Sequence, residues 1–147
     1  FKDVDLERYE RAAARLEREL KAGAAATYRF FGARLKAAQD ILQRRVILRT
    51  AREGRRIIPC YAGSLNLVLD ESGNVFPCEM RSEPFGNVRE NGYDVRSVLR
   101  SERAAVIRGS IGRGECFCTH ECYQMTNILF NPRLYPALGR EYLQLRR

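Results

Sequence analysis

The sequence contains no long apolar run, no internal repeat and no low-complexity tract. A membrane-spanning helix needs roughly 18 or more consecutive apolar residues, and the mean hydropathy of −0.41 agrees with the lack of one. Phe1-Lys2-Asp3-Val4-Asp5 offers neither the apolar stretch of a secretory signal nor an initiator Met. The chain is therefore expected to be a piece of a longer protein, working in the cytoplasm, where disulfides are rare. Histidine occurs once, at His120. There is no Cys-x2-Cys pair. The knuckles usual in structural zinc sites and the dithiol of a thiol–disulfide exchanger are thus both missing.

What is present can fold. The length of 147 residues suits one domain, and 45% hydrophobic with 30% charged residues can bury a core. The net charge is +8, and only three of the 26 basic residues are lysines. A basic balance permits nucleic acid or an acidic partner. Here the arginines are scattered among glutamates on helical segments, so a solvated face is expected and nucleic acid is disfavoured.

Residues 3–22 read as a helix, because Leu6, Tyr9, Ala13, Leu16 and Leu20 form one apolar stripe. Asp3 or Asp5 can cap it and Gly23 can end it. Residues 24–33 read as a connector. A second helix is expected over about 33–51, with Leu35, Ala38, Ile41, Leu42 and Val46 inward. Arg44, Arg45, Arg49, Arg52, Arg55 and Arg56 form its basic end. Residues 65–69 read as a strand, 70–74 as a turn and 75–78 as the return strand. Residues 79–94 look like loop. A third helix is expected over about 95–108, with Val95, Val98, Leu99, Ala105 and Val106 inward, before Gly109, Gly112 and Gly114 loosen the chain. A short helix through Ile128 follows, and after Pro132 and Pro136 a last helix ends near Leu145.

Five cysteines fall in two groups, Cys60-x17-Cys78 and Cys116-x-Cys118-x3-Cys122. The expected hairpin has a cysteine near each open end. Pairing across its turn would carry Cys60 and Cys78 to one place. Thiolates taken from a hairpin and a separate turn suit a tetrahedral metal site, whose properties are tuned by amides bonded to the sulfurs. Cys60, Cys78, Cys116, Cys118 and Cys122 are therefore the candidate metal ligands. Spacing alone leaves iron–sulfur and zinc open, since four thiolates serve either. His120 is a possible zinc ligand, although between Thr119 and Glu121 it reads better as a neighbour of the site or a surface residue. Glu79 and Tyr123, each beside a cysteine, read as packing or supporting groups. No catalytic acid, base or nucleophile stands out.

Cys60-x12-Gly73-x4-Cys78 resembles the opening signature of the SPASM domain and its shorter relative, the twitch domain. Both are auxiliary iron–sulfur domains at the C-termini of radical SAM enzymes. The run from Leu67 to Cys78 is similar to the hairpin of that family. Phe85-Gly86-Asn87-Val88 is similar to the following "GN(L/V)" segment, Val95-Arg96-Ser97-Val98-Leu99 to the next helix, and Cys118-x3-Cys122 to the later Cys-x3-Cys. The likeness covers about residues 57–130. It implies a small α+β fold, a β-hairpin metal-binding domain flanked by several helices. Residues 1–56 would be a helical bridge from an absent upstream core, 57–130 the cluster-binding domain and 131–147 a helical tail.

Departures from the pattern narrow the expectation. Where a full SPASM domain has two more cysteines upstream of Cys118, this chain has Gly109 and Gly112, and no cysteine follows Cys122. One [4Fe–4S] cluster is then implied, with Cys60, Cys78 and Cys122 as ligands and Cys116 or Cys118 as the fourth. The Cys-x3-Cys-x2-Cys motif that holds the S-adenosylmethionine-cleaving cluster is absent. The implied role is electron transfer and assembly of the substrate site, with catalysis and S-adenosylmethionine left to the core. The implied partners are the radical SAM core of the parent chain and a peptide or protein substrate. The alternative is a zinc-stapled module binding nucleic acid or protein.

Overall fold

The computed structural model describes residues 4–23 and 30–145. Most of the expected connector (24–29) and Asp3, one of the two caps considered for the first helix, lie outside the described residues. The described residues divide into two compact units, one drawn from Phe1–Ile58 with Thr119–Arg147 and the other from Pro59–Cys118. The helices outnumber the strands, and the small antiparallel sheet makes the fold α+β, as expected. Among the described residues no helix is long and apolar enough to cross a membrane.

The helical unit contains α1 (Leu6–Lys21), α2 (Ala33–Glu53), α5 (Glu121–Leu129) and α6 (Tyr135–Gln144). Asp5 caps α1 by accepting the Arg8 N–H at 2.9 Å, which satisfies one of the otherwise orphaned donors of the first turn. The central helix, α2, packs against α1, α5 and α6. Leu20, Ala38, Ile41, Leu42, Ile128, Leu138 and Leu145 form the core. Leu35, expected inward, is exposed instead, while Gln39, Asp40, Gln43 and Thr50 are buried. A helix with neighbours on three sides buries more of its circumference than a single apolar stripe marks.

The basic end of α2 is paired. Arg45 bridges Glu17 (2.6 Å) and Glu141 (2.7 Å), Arg52 meets Glu10 (2.5 Å), and Arg49 and Arg55 both meet Glu53. Lys21 also joins Glu17 and Glu141, at 2.7 and 3.0 Å. Glutamates on α1, α2 and α6 thus take up most of the charge that could have met phosphate.

The cysteine unit holds β1 (Val68–Leu69), β2 (Asn74–Phe76), β3 (Gly86–Asn87), α3 (Val95–Arg100) and α4 (Glu102–Arg113). The sheet order is β1-β2-β3, antiparallel throughout. The third strand and the 3-10 turn after it, Val88–Asn91, lie where the sequence read as loop. A two-residue strand leaves almost no alternating pattern to detect. The expected third helix is two helices broken at Ser101, whose backbone is extended and whose hydroxyl caps α4 by accepting the Ala104 N–H at 3.1 Å. The break resets the helical phase. Val95, Ala105 and Val106 turn out to be exposed, and Ala104, Ile107, Ser110 and Ile111 are buried in their place. The second helix runs on to Arg113, so Gly109 and Gly112 are helical rather than loosening the chain.

Candidate metal centre

The hairpin turn explains why its signature needs glycine. Gly73 has φ +91°, a left-handed conformation that L side chains rarely adopt. A methyl there would also lie 2.8 Å from Asn87 Oδ1 and 2.9 Å from Arg89 Cγ. Asp70 closes the turn from below by accepting Asn74 N–H (2.8 Å) and Asn74 Nδ2 (2.9 Å). These bonds, the Asn74 side chain first, hold the Asp70 carboxyl below its usual range. Asn87 closes it from above, donating Nδ2 to Ser72 O and to Asn74 Oδ1, both at 3.0 Å. Gly73 and the Gly86-Asn87 segment are therefore two halves of one latch, which orients β2 and the Pro77-Cys78 step that follows it.

Cys60 reaches Cys78 by a different route from the one expected. The register pairs Val68 with Phe76 and Leu69 with Val75. Continued, it would set Asn66 and not Cys60 opposite Cys78. The chain between them turns instead. Ser64 and Leu65 donate their N–H groups to Tyr61 O, Gly63 N–H donates to Asn66 O at 2.9 Å, and Ala62 bridges Asn66. Gly63, at φ +77°, passes so close to the return arm that a methyl would sit 2.7 Å from Phe85 Cζ and 3.0 Å from Pro77 Cβ. This contact sets the Cys60 arm against the Pro77-Cys78 arm.

The third thiol comes from the end of α4. Gly114 ends the helix, and the Glu115 N–H donates back to Ser110 O at 3.2 Å. The chain then leaves as a segment without regular secondary structure that carries Cys116 and Cys118. Cys78, only 7% exposed, lies at the centre of the group. Its sulfur accepts backbone N–H bonds from Met80 and Arg81. Burial pushes its thiol pKa up, the two N–H groups oppose the rise, and the neighbouring Cys60 and Cys116 thiols add to it. A bound metal supplies positive charge that would favour the thiolate form of Cys78.

Cys60 and Cys116 thus both lie close enough to Cys78 for their charges to act on it. Cys118 lies two residues on in the same unit, half-buried, and Cys122 is exposed in the first turn of α5 in the helical unit. No disulfide joins the five. Among the described residues no three His, Cys, Asp or Glu side chains converge tightly enough to hold one metal ion. Four thiolates bound to zinc at about 2.3 Å sit roughly 3.8 Å apart. The irons of a cluster spread their cysteines further. The donors present, thiols with amide N–H groups on the buried Cys78 sulfur, are of the kind that hold an iron–sulfur cluster.

His120 packs its ring against Tyr123, with centroids 5.3 Å apart and a tilt of 58°. Tyr123 is buried, as a packing residue should be, and Glu79 is exposed. Sequence reasoning missed Arg81. Its Nη1 lies 2.8 Å from Ser110 Oγ and 3.9 Å from Cys116 Sγ, and its Nη2 donates to Glu83 Oε2 at 2.9 Å. The only signal available was a basic residue three places after a cysteine, which is too common to single out.

A buried thiol with two others acting on it and amides bonded to its sulfur is the kind of setting that thiolate metal ligands use. Residues 60–123 match the family model of SPASM, described as an iron–sulfur cluster-binding domain. The match begins at Cys60 and ends one residue after Cys122, so all five cysteines lie inside it. The matched segment is consistent with an iron–sulfur cluster-binding domain of the SPASM/twitch type, as the resemblance implied. No curated protein and no solved structure matches the chain.

Proposed function

We propose that this domain binds one [4Fe–4S] cluster and serves as the auxiliary part of a radical SAM enzyme, relaying electrons and helping to form the substrate site. The observation that carries this is the SPASM match, which spans all five cysteines and includes the buried Cys78. The resemblance implies Cys60, Cys78 and Cys122 as ligands with Cys116 or Cys118 as the fourth, and we take Cys116 for that place because its charge acts on Cys78. A bound cluster supplies one-electron transfer. The chain contributes thiolates to hold the irons, Met80 and Arg81 N–H groups to stabilise charge on a ligand sulfur, and a setting for Cys78 that excludes most water.

Residues 1–56 are proposed to bridge from the radical SAM core of the parent chain, 57–130 to hold the cluster, and 131–147 to form a helical tail. S-adenosylmethionine and the bond-breaking chemistry belong to that core, and the substrate is a peptide or protein. A reducing, cytoplasmic setting is part of the same proposal. No observation favours the zinc-stapled nucleic-acid module, because the arginines of α2 are largely paired.

Anaerobic reconstitution tests the proposal. The chain should turn brown and take up iron and sulfide in equal amounts. Cys78→Ser should lose most of both, and Cys118→Ser and Cys122→Ser should differ, with the ligand variant losing the cluster. A colourless anaerobic sample that retains zinc would sink the iron–sulfur reading.

A further inference from the structure

We propose that Arg81 is a positioning residue that sets the charge around Cys116 and raises the reduction potential of the bound cluster. This rests on the cluster reading above and adds a role for a residue outside the thiol set.

Arg81 touches two of the three thiols in different ways. Its backbone N–H donates to the Cys78 sulfur. Its guanidinium Nη1 stands 3.9 Å from Cys116 Sγ and is held there by Ser110 Oγ at 2.8 Å. Ser110 is itself fixed. It is buried in α4, and its O–H is spent on Ile107 O at 3.0 Å, so its lone pairs face the guanidinium. The Arg81 side chain is 21% exposed, against 57% for its partner Glu83. The cation therefore sits in the less hydrated part of the Arg81–Glu83 pair, on the side toward sulfur. Guanidinium stays charged across the whole working pH range and does not depend on a proton for its effect.

A cluster with its thiolates is already anionic, and reduction adds one electron without breaking a bond. A fixed cation a few ångströms from a ligand sulfur stabilises the added charge, and local net charge and hydrogen bonds to sulfur are among the terms that set such potentials. Glu83 works in the opposite sense, offsetting part of the guanidinium charge from a more hydrated position. Arg81 and Glu83 thus form a graded pair, and removing either charge should move the potential in opposite directions. A residue that only held the fold together would not produce that antisymmetry.

The test is an anaerobic redox titration of the full 147-residue chain, reconstituted with iron and sulfide, with dithionite as reductant and the visible and electron paramagnetic resonance spectra as readout. In Arg81→Gln the reduced-to-oxidised ratio at a fixed potential should fall about tenfold, equivalent to a shift of about 59 mV for one electron. In Glu83→Gln the ratio should rise, by about threefold, since an exposed charge is more strongly screened. Arg81→Lys, which keeps the charge, should stay closer to the wild type than to Arg81→Gln. Unmoved potentials in both charge-removing variants, or shifts of the same sign, would overturn the inference while leaving the cluster in place. If Arg81→Gln does not take up iron, Glu83→Gln decides alone, and a wild-type potential there overturns the proposal. A wild-type chain that takes up neither iron nor sulfide overturns the cluster reading, and this inference falls with it.

Discussion

In the helical unit, α2 is covered by α1, α5 and α6, and a ring of Glu17, Lys21, Arg45 and Glu141 ties three helices together at 2.6–3.0 Å. In the cysteine unit, strands of two and three residues and two short helices enclose a buried thiol and a handful of apolar side chains. Strands that short are below the usual length of about five residues. A unit of about 60 residues seldom has enough core to stand without a staple, which in natural mini-domains is often a metal. The contrast teaches where the cluster matters for folding. The helical unit can rely on apolar burial, whereas the cysteine unit, on the proposed reading, would add a cluster held by its thiols to the latch at Gly73 and Asn87.

The largest effect should therefore come from removing the metal, because metal binding is folding free energy where the site is not formed in the unfolded chain. Amide hydrogen exchange of the iron-depleted chain should rise steeply across 59–118 and stay slow in α2. Equal loss of protection in both units would break the comparison. Gly63→Ala should come next. It sets a methyl 2.7 Å from Phe85 Cζ at φ +77°, where strain and overpacking together should cost about 3 kcal/mol. Its effect should appear in denaturant unfolding followed by cluster absorbance. An iron affinity and stability equal to wild type would show that the Cys60 arm is not held at Gly63.

Much of this was legible in the residues. The stripe at Leu6, Tyr9, Leu16 and Leu20, the Asp5 cap and the Gly73 turn are local signals, and the structure repeats them. The α+β class was implied by the family resemblance, with which the hairpin set among helices agrees. Arg81 and the turn at 61–66 were not legible, because they depend on what a residue meets across the fold and not on its neighbours in sequence. Gly63 looked like any other loop glycine until Phe85 and Pro77 were placed against it. The inward faces of α3 and α4 were misread because Ser101 breaks a periodicity that the apolar residues seem to continue. A serine before Glu102 was the available signal for that cap.

The charged ring of the helical unit offers a contrasting test, since no metal is involved. Glu141 is buried with its side chain 5% exposed, whereas Arg45 and Lys21 are 46% and 27% exposed. Losing one partner of a fully buried pair costs 3–5 kcal/mol, so Glu141→Ala should cost about 2 kcal/mol here, because its partners regain water. The loss should register in the unfolding of α1, α2 and α6 and leave iron content unchanged. Glu17 adds a pH signature. Burial opposes its charge, but Lys21 and Arg45 outweigh burial and hold its carboxyl below the ordinary 4.5. The stability it contributes is present above pH 4.5 and is lost as pH falls through the folded value. The difference between wild type and Glu17→Gln should therefore shrink on acidification, as followed by circular dichroism.

The smallest effect should be that of Ser101→Ala, which removes one accepted N–H bond at the start of α4 and should cost about 1 kcal/mol. It is informative because α4 carries Ser110 and leads into Cys116. If the cluster staples the cysteine unit, thermal unfolding should shift more in the iron-depleted variant than in the loaded one, where bound metal holds the end of α4 through Cys116. Equal shifts with and without iron would mean that α4 is held by its apolar residues alone and that the thiol adds nothing to its stability.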